Sequence, residues 1–448
     1  MLGQFCLFLL SCATVLGAVV SPIDQDDGPL ILTPYIENGE TEKAKALSAV
    51  EASLFADVNS HAAYITVNRT AKWHLFFWYF PAEGLLLEDT PLIIWLNGGP
   101  GISSLYGLFE EIGPIRVVDN EKVERMPITW GSNYSLLFID NPAGTGFSFS
   151  EGGEYATNED QVGECLYNFI QQFLQVFPEL RKAPLFLSGQ GYAGKFIPAF
   201  GHYIHNNQND CMPINLKGIA VGNGCTDPLS MLHIAEFAPQ AGVLSPEEAQ
   251  EIHTYEEEAR RAWERGDMYE FTWNAEESIY LAKFRASVDE NNFLHEHKDT
   301  MKESFSKFLN KAEVQSAIHA KKMIFRVENL LGRHLTETDF HISAKPWLEE
   351  LLEHYGVMYY SGQLAIYPAY APSVRMYRSL EWSGAQGYLQ ADRKCMFIED
   401  NGREICHSYL RESGNFIEVM VRGAGYLVPQ DKPRVAKLLI DRFINKFK

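Results

Sequence analysis

The spacing of apolar residues between positions 159 and 197 restricts the fold more than any other part of the chain. From Glu159 to Phe177, Val162, Leu166, Phe169, Ile170, Phe173 and Val176 recur at helical spacing. A short apolar strand from Ala183 to Leu187 follows, and another helical segment opens at Lys195-Phe196-Ile197. Alternation of helix and strand calls for a parallel sheet. Earlier, His61 to Val67, Trp73 to Phe80, Leu92 to Leu96 and Ser135 to Ile139 are alternating or continuous apolar runs parted by Pro, Gly and Asn turns, and read as strands. Strands return at Val357 to Tyr360 and Phe416 to Val421, and an amphipathic helix from Pro433 to Phe447 closes the chain. Between Ser245 and Lys322 the pattern is charged and helical, with aromatic residues interspersed. The expected architecture is an α/β sandwich: a mixed, mainly parallel sheet flanked by helices, with a helical cap inserted between about Asp227 and Trp347.

Charge and cysteine usage narrow the setting. With 58 acidic against 38 basic residues the net charge is −20, which disfavours nucleic acid and anionic membrane surfaces as partners. The apolar run Phe5 to Leu16, followed by Gly17 and Ala18, reads as a signal peptide over residues 1–18. It is too short for a membrane anchor and lacks a preceding Lys or Arg, and no later stretch could span a bilayer. Cys6 and Cys12 leave with that segment, so Cys165, Cys211, Cys225, Cys395 and Cys406 remain. Cys395 and Cys406 flank the turn Asp400-Asn401-Gly402 and form the first disulfide candidate, with Cys211 and Cys225 the second. Asn68-Arg69-Thr70 and Asn133-Tyr134-Ser135 are glycosylation acceptors in a secretory context.

The strand at Ala183 runs into Ser188-Gly189-Gln190-Gly191-Tyr192-Ala193-Gly194 before the next helix. Strand, tight glycine-flanked turn and helix are the setting of a nucleophile elbow, but here the central residue is Gly191, which has no side chain. A second segment, Pro91-Leu92-Ile93-Ile94-Trp95-Leu96-Asn97-Gly98-Gly99-Pro100-Gly101, follows a strand with glycines that let backbone amides approach an oxyanion. With Phe138-Ile139-Asp140-Asn141-Pro142-Ala143-Gly144, Tyr360-Ser361-Gly362-Gln363-Leu364 and Gly423-Ala424-Gly425 before Val428-Pro429, the chain resembles the serine carboxypeptidases, most of all their vitellogenic carboxypeptidase-like branch. The likeness runs from about Leu30 to about Phe447. It implies an α/β-hydrolase fold and a triad in the order nucleophile, acid, base.

Each triad position is recognisable from its flanks, and at each the family's residue is replaced: serine by Gly191, aspartate by Ala365, histidine by Tyr426. By the same resemblance, Gly99 and Tyr192 supply oxyanion-hole amides, and Asn97, Glu111 and Gln190 hold a peptide's terminal carboxylate. The family usually carries glutamate at position 190. A glutamate must be protonated to donate to a carboxylate, whereas the Gln190 amide donates at any ordinary pH.

Serine attack needs a hydroxyl, a base to take its proton and an acid to orient that base, and Gly, Ala and Tyr supply none of these. Losing the acid together with the base is physically coherent, since a buried aspartate without its histidine is an unpaired charge. Ser188, Ser361 and Ser383 lack the elbow setting and read as turn or cap serines. His295, Glu296 and His297 read as solvated residues of the insertion, so neither metal nor other cofactor is expected. The expectation is a catalytically inactive serine carboxypeptidase homologue, secreted or lysosomal, that binds peptide C-termini or pairs with an active carboxypeptidase relative. The rival readings are an active carboxypeptidase or acyltransferase with a rearranged site, and a secreted storage or structural protein.

Overall fold

The computed structural model describes residues 28–118, 121–208, 212–287, 291–295, 301–330, 334–400 and 402–448. The expected signal segment 1–18 and Cys211 lie outside them, as do Glu296 and His297. Among the described residues, fourteen strands follow in chain order: β1 (Ala49–Val50), β2 (Ser60–Asn68), β3 (Trp73–Phe80), β4 (Leu92–Leu96), β5 (Ile115–Val118), β6 (Lys122–Arg125), β7 (Ser135–Ile139), β8 (Phe149–Ser150), β9 (Leu185–Gln190), β10 (Leu216–Gly222), β11 (Gly356–Gly362), β12 (Lys394–Asp400), β13 (Arg403–Ser413) and β14 (Phe416–Val421). All but the small β5–β6 pair join one sheet in the order β1-β2-β3-β7-β4-β9-β10-β11-β14-β13-β12, with β8 beside β3. From β7 to β14 every pairing is parallel, and the arms on either side are antiparallel.

Side-chain alternation divides the core between the two faces. On β4, Leu92, Ile94 and Leu96 pack on one side with the helices Glu159–Val176, Ala193–Asn206 and Lys345–His354, while Ile93 and Trp95 pack on the other with Pro433–Phe447. All eight residues of β3 are buried, because the sheet is covered on both faces. The strand expected at Ala183 to Leu187 instead runs Leu185–Gln190. Ser188 and Gly189 stay in it because β4 and β10 flank them and satisfy their backbone groups, which apolar periodicity does not register. That extension carries Gln190 to the carboxyl end of the sheet.

The insertion lies between β10 and β11. Its main feature is a hairpin of the helices Pro246–Arg265 and Met268–Ala286. Ser245 and Glu248 form a capping box at the start, and Gly266 ends the first helix in the left-handed conformation at φ +76°. The expected insertion end at Trp347 falls inside Lys345–His354, whose Leu348 and Leu351 join the core beneath the sheet, so that helix belongs to the sheet layer. Among the described residues no helix is long and apolar enough to cross a membrane.

Cys395 and Cys406 are bridged across the β12–β13 hairpin with their Cα atoms 5.8 Å apart. Replacing both by serine is expected to lower stability by about 2–3 kcal/mol, from the entropy of the short loop it closes. Urea unfolding with and without reductant checks this, and identical curves for wild type and variant would mean the bridge does not form. The second candidate pair is corrected. Cys225 is a free buried thiol. Its Sγ lies 3.4 Å from Tyr367 Oη in the buried interior, and its candidate partner Cys211 lies outside the described residues.

Candidate active site

At the carboxyl ends of the parallel strands, β9 stops at Gln190 and Gly191 turns the chain at φ +62°, a conformation that L side chains adopt only under strain. Gly191 donates to the Gly222 carbonyl (3.0 Å) and accepts from the Cys225 and Gly194 amides at 2.8 and 2.9 Å. The loop after β4 comes into backbone contact with this turn: a Cβ on Gly98 would stand 2.3 Å from the Tyr192 nitrogen. Buried Asp140 ties that loop down, accepting from Ser103 Oγ (2.6 Å), the Ser104 amide (2.9 Å) and the Phe147 amide (2.9 Å). Gly99 and Tyr192, the two residues of the expected oxyanion hole, line one cavity at this turn.

The ends of β11 and β14 are laced together by backbone bonds from Gln363 to Val421 (3.0 Å) and from Leu364 to Ala424 (2.8 Å). Ala365 is fully buried there. Tyr426 is held by its amide on the Asn291 carbonyl at 2.5 Å, and Asp431 Oδ2 fixes the preceding turn through Gly425 N (2.6 Å) and Asn292 Nδ2 (2.8 Å). The tyrosine reaches into the elbow. An ideal Cβ built on Gly191 would lie 1.8 Å from Tyr426 Oη and 2.9 Å from Cζ, so the hydroxyl occupies the space where a side chain at 191 begins.

A cavity of about 610 Å³ opens here between the strand ends and the cap. Gly191, Tyr426, Gly99 and Tyr192 line it, and Ala365 does not. Among the described lining residues there is no serine, histidine or aspartate. Cys225 contributes the one thiol of that lining, and burial pushes it up to about 11, which keeps it protonated and unreactive at neutral pH. The other serines are engaged elsewhere: Ser188 Oγ donates to the Ala220 carbonyl at 2.9 Å, Ser361 is buried against Tyr377, and Ser383 Oγ donates to Glu353 at 2.5 Å.

Of the implied carboxylate-binding set, Asn97 and Gln190 line the cavity and Glu111 reaches it through Gln190. Asn97 Oδ1 accepts from Trp95 Nε1 at 2.6 Å, which fixes the amide. Gln190 Nε2 donates to Glu111 Oε1 at 2.6 Å. Burial pushes the Glu111 carboxyl up to about 8; the Gln190 bond opposes this, and Glu110 and Asp431 add to it. Neither Glu111 Oε2 nor Gln190 Oε1 has a hydrogen-bond partner among the described residues.

Sequence reasoning missed a buried ionic cluster behind the elbow. Lys195 Nζ bonds both the carboxylate and the carbonyl of Asp339, lies 3.4 Å from Tyr192 Oη, and is completely buried with its partner. The Glu159 carboxyl beside them is held well above the ordinary range, by burial first and with Asp339 adding and Lys195 opposing. The sequence separation of 144 between Lys195 and Asp339 hides the pair; the only local hint is a lysine inside the apolar run Ala193 to Phe200. Of the two glycosylation acceptors, Asn133 is exposed, whereas Asn68 is half-buried and accepts from the Ala71 amide at 2.9 Å. His295 is exposed.

Residues 51–446 match the serine carboxypeptidase family. The chain belongs to that family. It is 38% identical over 440 residues to the probable serine carboxypeptidase CPVL of Homo sapiens, covering 95% of this chain and 92% of that one. To the vitellogenic carboxypeptidase of Aedes aegypti it is 36% identical over 431 residues, covering 93% and 90%. Among solved structures it is similar to KEX1(delta)p, a prohormone-processing carboxypeptidase from Saccharomyces cerevisiae, with a TM-score of 0.80 at 23% identity over 90% of this chain and 96% of that one. That likeness concerns the fold, which is α/β-hydrolase.

Proposed function

We propose that this protein is a catalytically silent serine carboxypeptidase homologue of the secretory pathway that binds peptide C-termini without cleaving them. The observation that carries the reading is the seat of Tyr426: its hydroxyl stands within 1.8 Å of where a Cβ at position 191 would be, so the nucleophile's place is occupied by another residue. A cavity lined by neither serine nor histidine among its described residues, with a thiol pushed up to about 11, lacks the hydroxyl and imidazole pair of serine-type acyl transfer. Asn97 and Gln190 remain as amide donors for a carboxylate, and the Gly99 and Tyr192 backbone does not depend on the missing side chains. The cross-strand disulfide fits an oxidising compartment.

The test uses purified, glycosylated protein with a fluorophosphonate probe and blocked dipeptides between pH 4 and 8, followed by titration of a short peptide. Labelling is expected to be absent. Peptide binding is expected to be saturable and to change by less than about threefold between pH 5 and pH 7, because both amides donate at either pH. Stoichiometric labelling with sustained turnover would refute catalytic silence, and absence of binding at both pH values would refute the ligand.

A further inference from the structure

We propose that the cavity receives the C-terminal segment of a cationic, amphipathic peptide, laid along an aromatic stripe on the cap helix Met268–Ala286; this rests on the peptide-binding reading above. On that helix Tyr269, Trp273, Tyr280 and Phe284 are 80, 48, 60 and 61% exposed. At 3.6 residues per turn all four fall within about 60° of one another, so they form a single row. Tyr280 and Phe284 stack with ring centroids 6.0 Å apart. Four large aromatic side chains in one exposed row on a cap mark a contact surface rather than scattered surface apolarity.

Two observations say what covers the row. The first is continuity with the cavity: Tyr280 belongs to the row and also lines the cavity, as do its helical neighbours Glu276 and Glu277. From Tyr269 to Phe284 the row extends ~22 Å, which an extended peptide of about seven residues spans. A chain whose last residue sits at Asn97 and Gln190 can therefore leave the cavity over Tyr280 and continue on the same ligand-binding face.

The second is charge. Three carboxylates, Glu276, Glu277 and Glu328, line the cavity against one ammonium, Lys283. The helix packed beside the row carries seven glutamates against three arginines. Basic side chains on the peptide would meet this field while its apolar side chains cover the aromatics. A second copy of the chain fits poorly, because each copy carries a net charge of −20 and would bring the same acidic cap against itself.

The experiment measures fluorescence anisotropy of two labelled peptides with free C-terminal carboxylates, one alternating Lys and Leu, the other Glu and Leu, beside a short blocked dipeptide as competitor. The Lys/Leu peptide is expected to bind at least about tenfold more tightly than the Glu/Leu peptide, with an advantage that shrinks in high salt. Trp273→Ser with Phe284→Ser, neither of which lines the cavity, is expected to weaken the Lys/Leu peptide by about tenfold or more and to leave the dipeptide unchanged. If the dipeptide binds but the Lys/Leu peptide has no advantage, or the double variant has no effect, this inference is wrong and the peptide-binding reading stands. If nothing binds, both fail. If sedimentation shows a dimer that the double variant dissolves, the row belongs to a second copy and the inference is overturned.

Discussion

Gly191→Ser alone leaves the protein silent towards a blocked dipeptide, whereas Gly191→Ser combined with Ala365→Asp and Tyr426→His raises turnover by ~10⁴-fold or more, the scale over which the members of a catalytic triad act as a unit. The backbone is already suited to the change, since position 191 sits at φ +62° at the end of β9 in the strained turn that presents a nucleophile. The side-chain space is not. A serine Cβ at 1.8 Å from Tyr426 Oη must displace the tyrosine, so the single variant is also expected to unfold at a lower temperature than wild type. Order matters as well: Ala365 is fully buried, and an aspartate introduced there while Tyr426 remains is a buried charge without a partner, expected to cost several kcal/mol until histidine is supplied. Thermal melts of the three single variants and the triple variant, run beside the dipeptide assay, separate these contributions. Activity in Gly191→Ser alone would show that Tyr426 swings aside and that a different base serves; a folded but silent triple variant would show that the three positions do not converge.

How much of this arrangement is legible in the sequence depends on whether the controlling interaction is local. Trp73 to Phe80 and Leu92 to Leu96 are legible to the residue because continuous apolar runs between turn residues mark strands covered on both faces. The helix pair of the cap is legible as charged helical periodicity, but its aromatic row is a property of the helix surface and not of composition. Strand β9 reads short because Ser188 and Gly189 are kept in the sheet by two neighbouring strands, so Gln190, which the sequence assigns to the turn, is the last residue of the strand. The meeting of Gly191 with Tyr426, 235 residues later by the numbering, comes only through the family resemblance. The Lys195–Asp339 pair leaves only the trace of a lysine within an apolar run, since neither periodicity nor motif links an elbow helix to the end of an insertion. The pairing of Cys211 with Cys225 falls because Cys225 is a buried free thiol beside Tyr367, a burial that cysteine spacing does not register.

Glu111→Gln is expected to stabilise the protein at pH 8 and to leave it unchanged near pH 4. In the unfolded chain this carboxyl loses its proton near its ordinary value of 4.5, whereas burial in the folded protein delays the loss to about 8. Between those values the folded state binds the extra proton, so stability falls as pH rises; the penalty is absent below the lower value and complete above the upper one. At about 1.36 kcal/mol per pKa unit the full penalty is on the order of several kcal/mol, and the substitution would remove it. The change is conservative in contacts: the new amide's carbonyl can still accept from Gln190 Nε2, and the neutral acid and the amide each place a donor at the position where Oε2 has no partner among the described residues. Urea midpoints from pH 4 to pH 9 should therefore converge at the acid end and separate at the alkaline end, and parallel curves would show that Glu111 is not held neutral. The same group governs the ligand. Below pH 8 Glu111 is uncharged and Gln190 presents its amide to a peptide carboxylate without opposition, but an ionised Glu111 directly behind Gln190 repels that carboxylate. Peptide affinity in the wild type should then fall above pH 8 while that of Glu111→Gln stays level, which ties the alkaline limit of stability and the alkaline limit of binding to one buried proton.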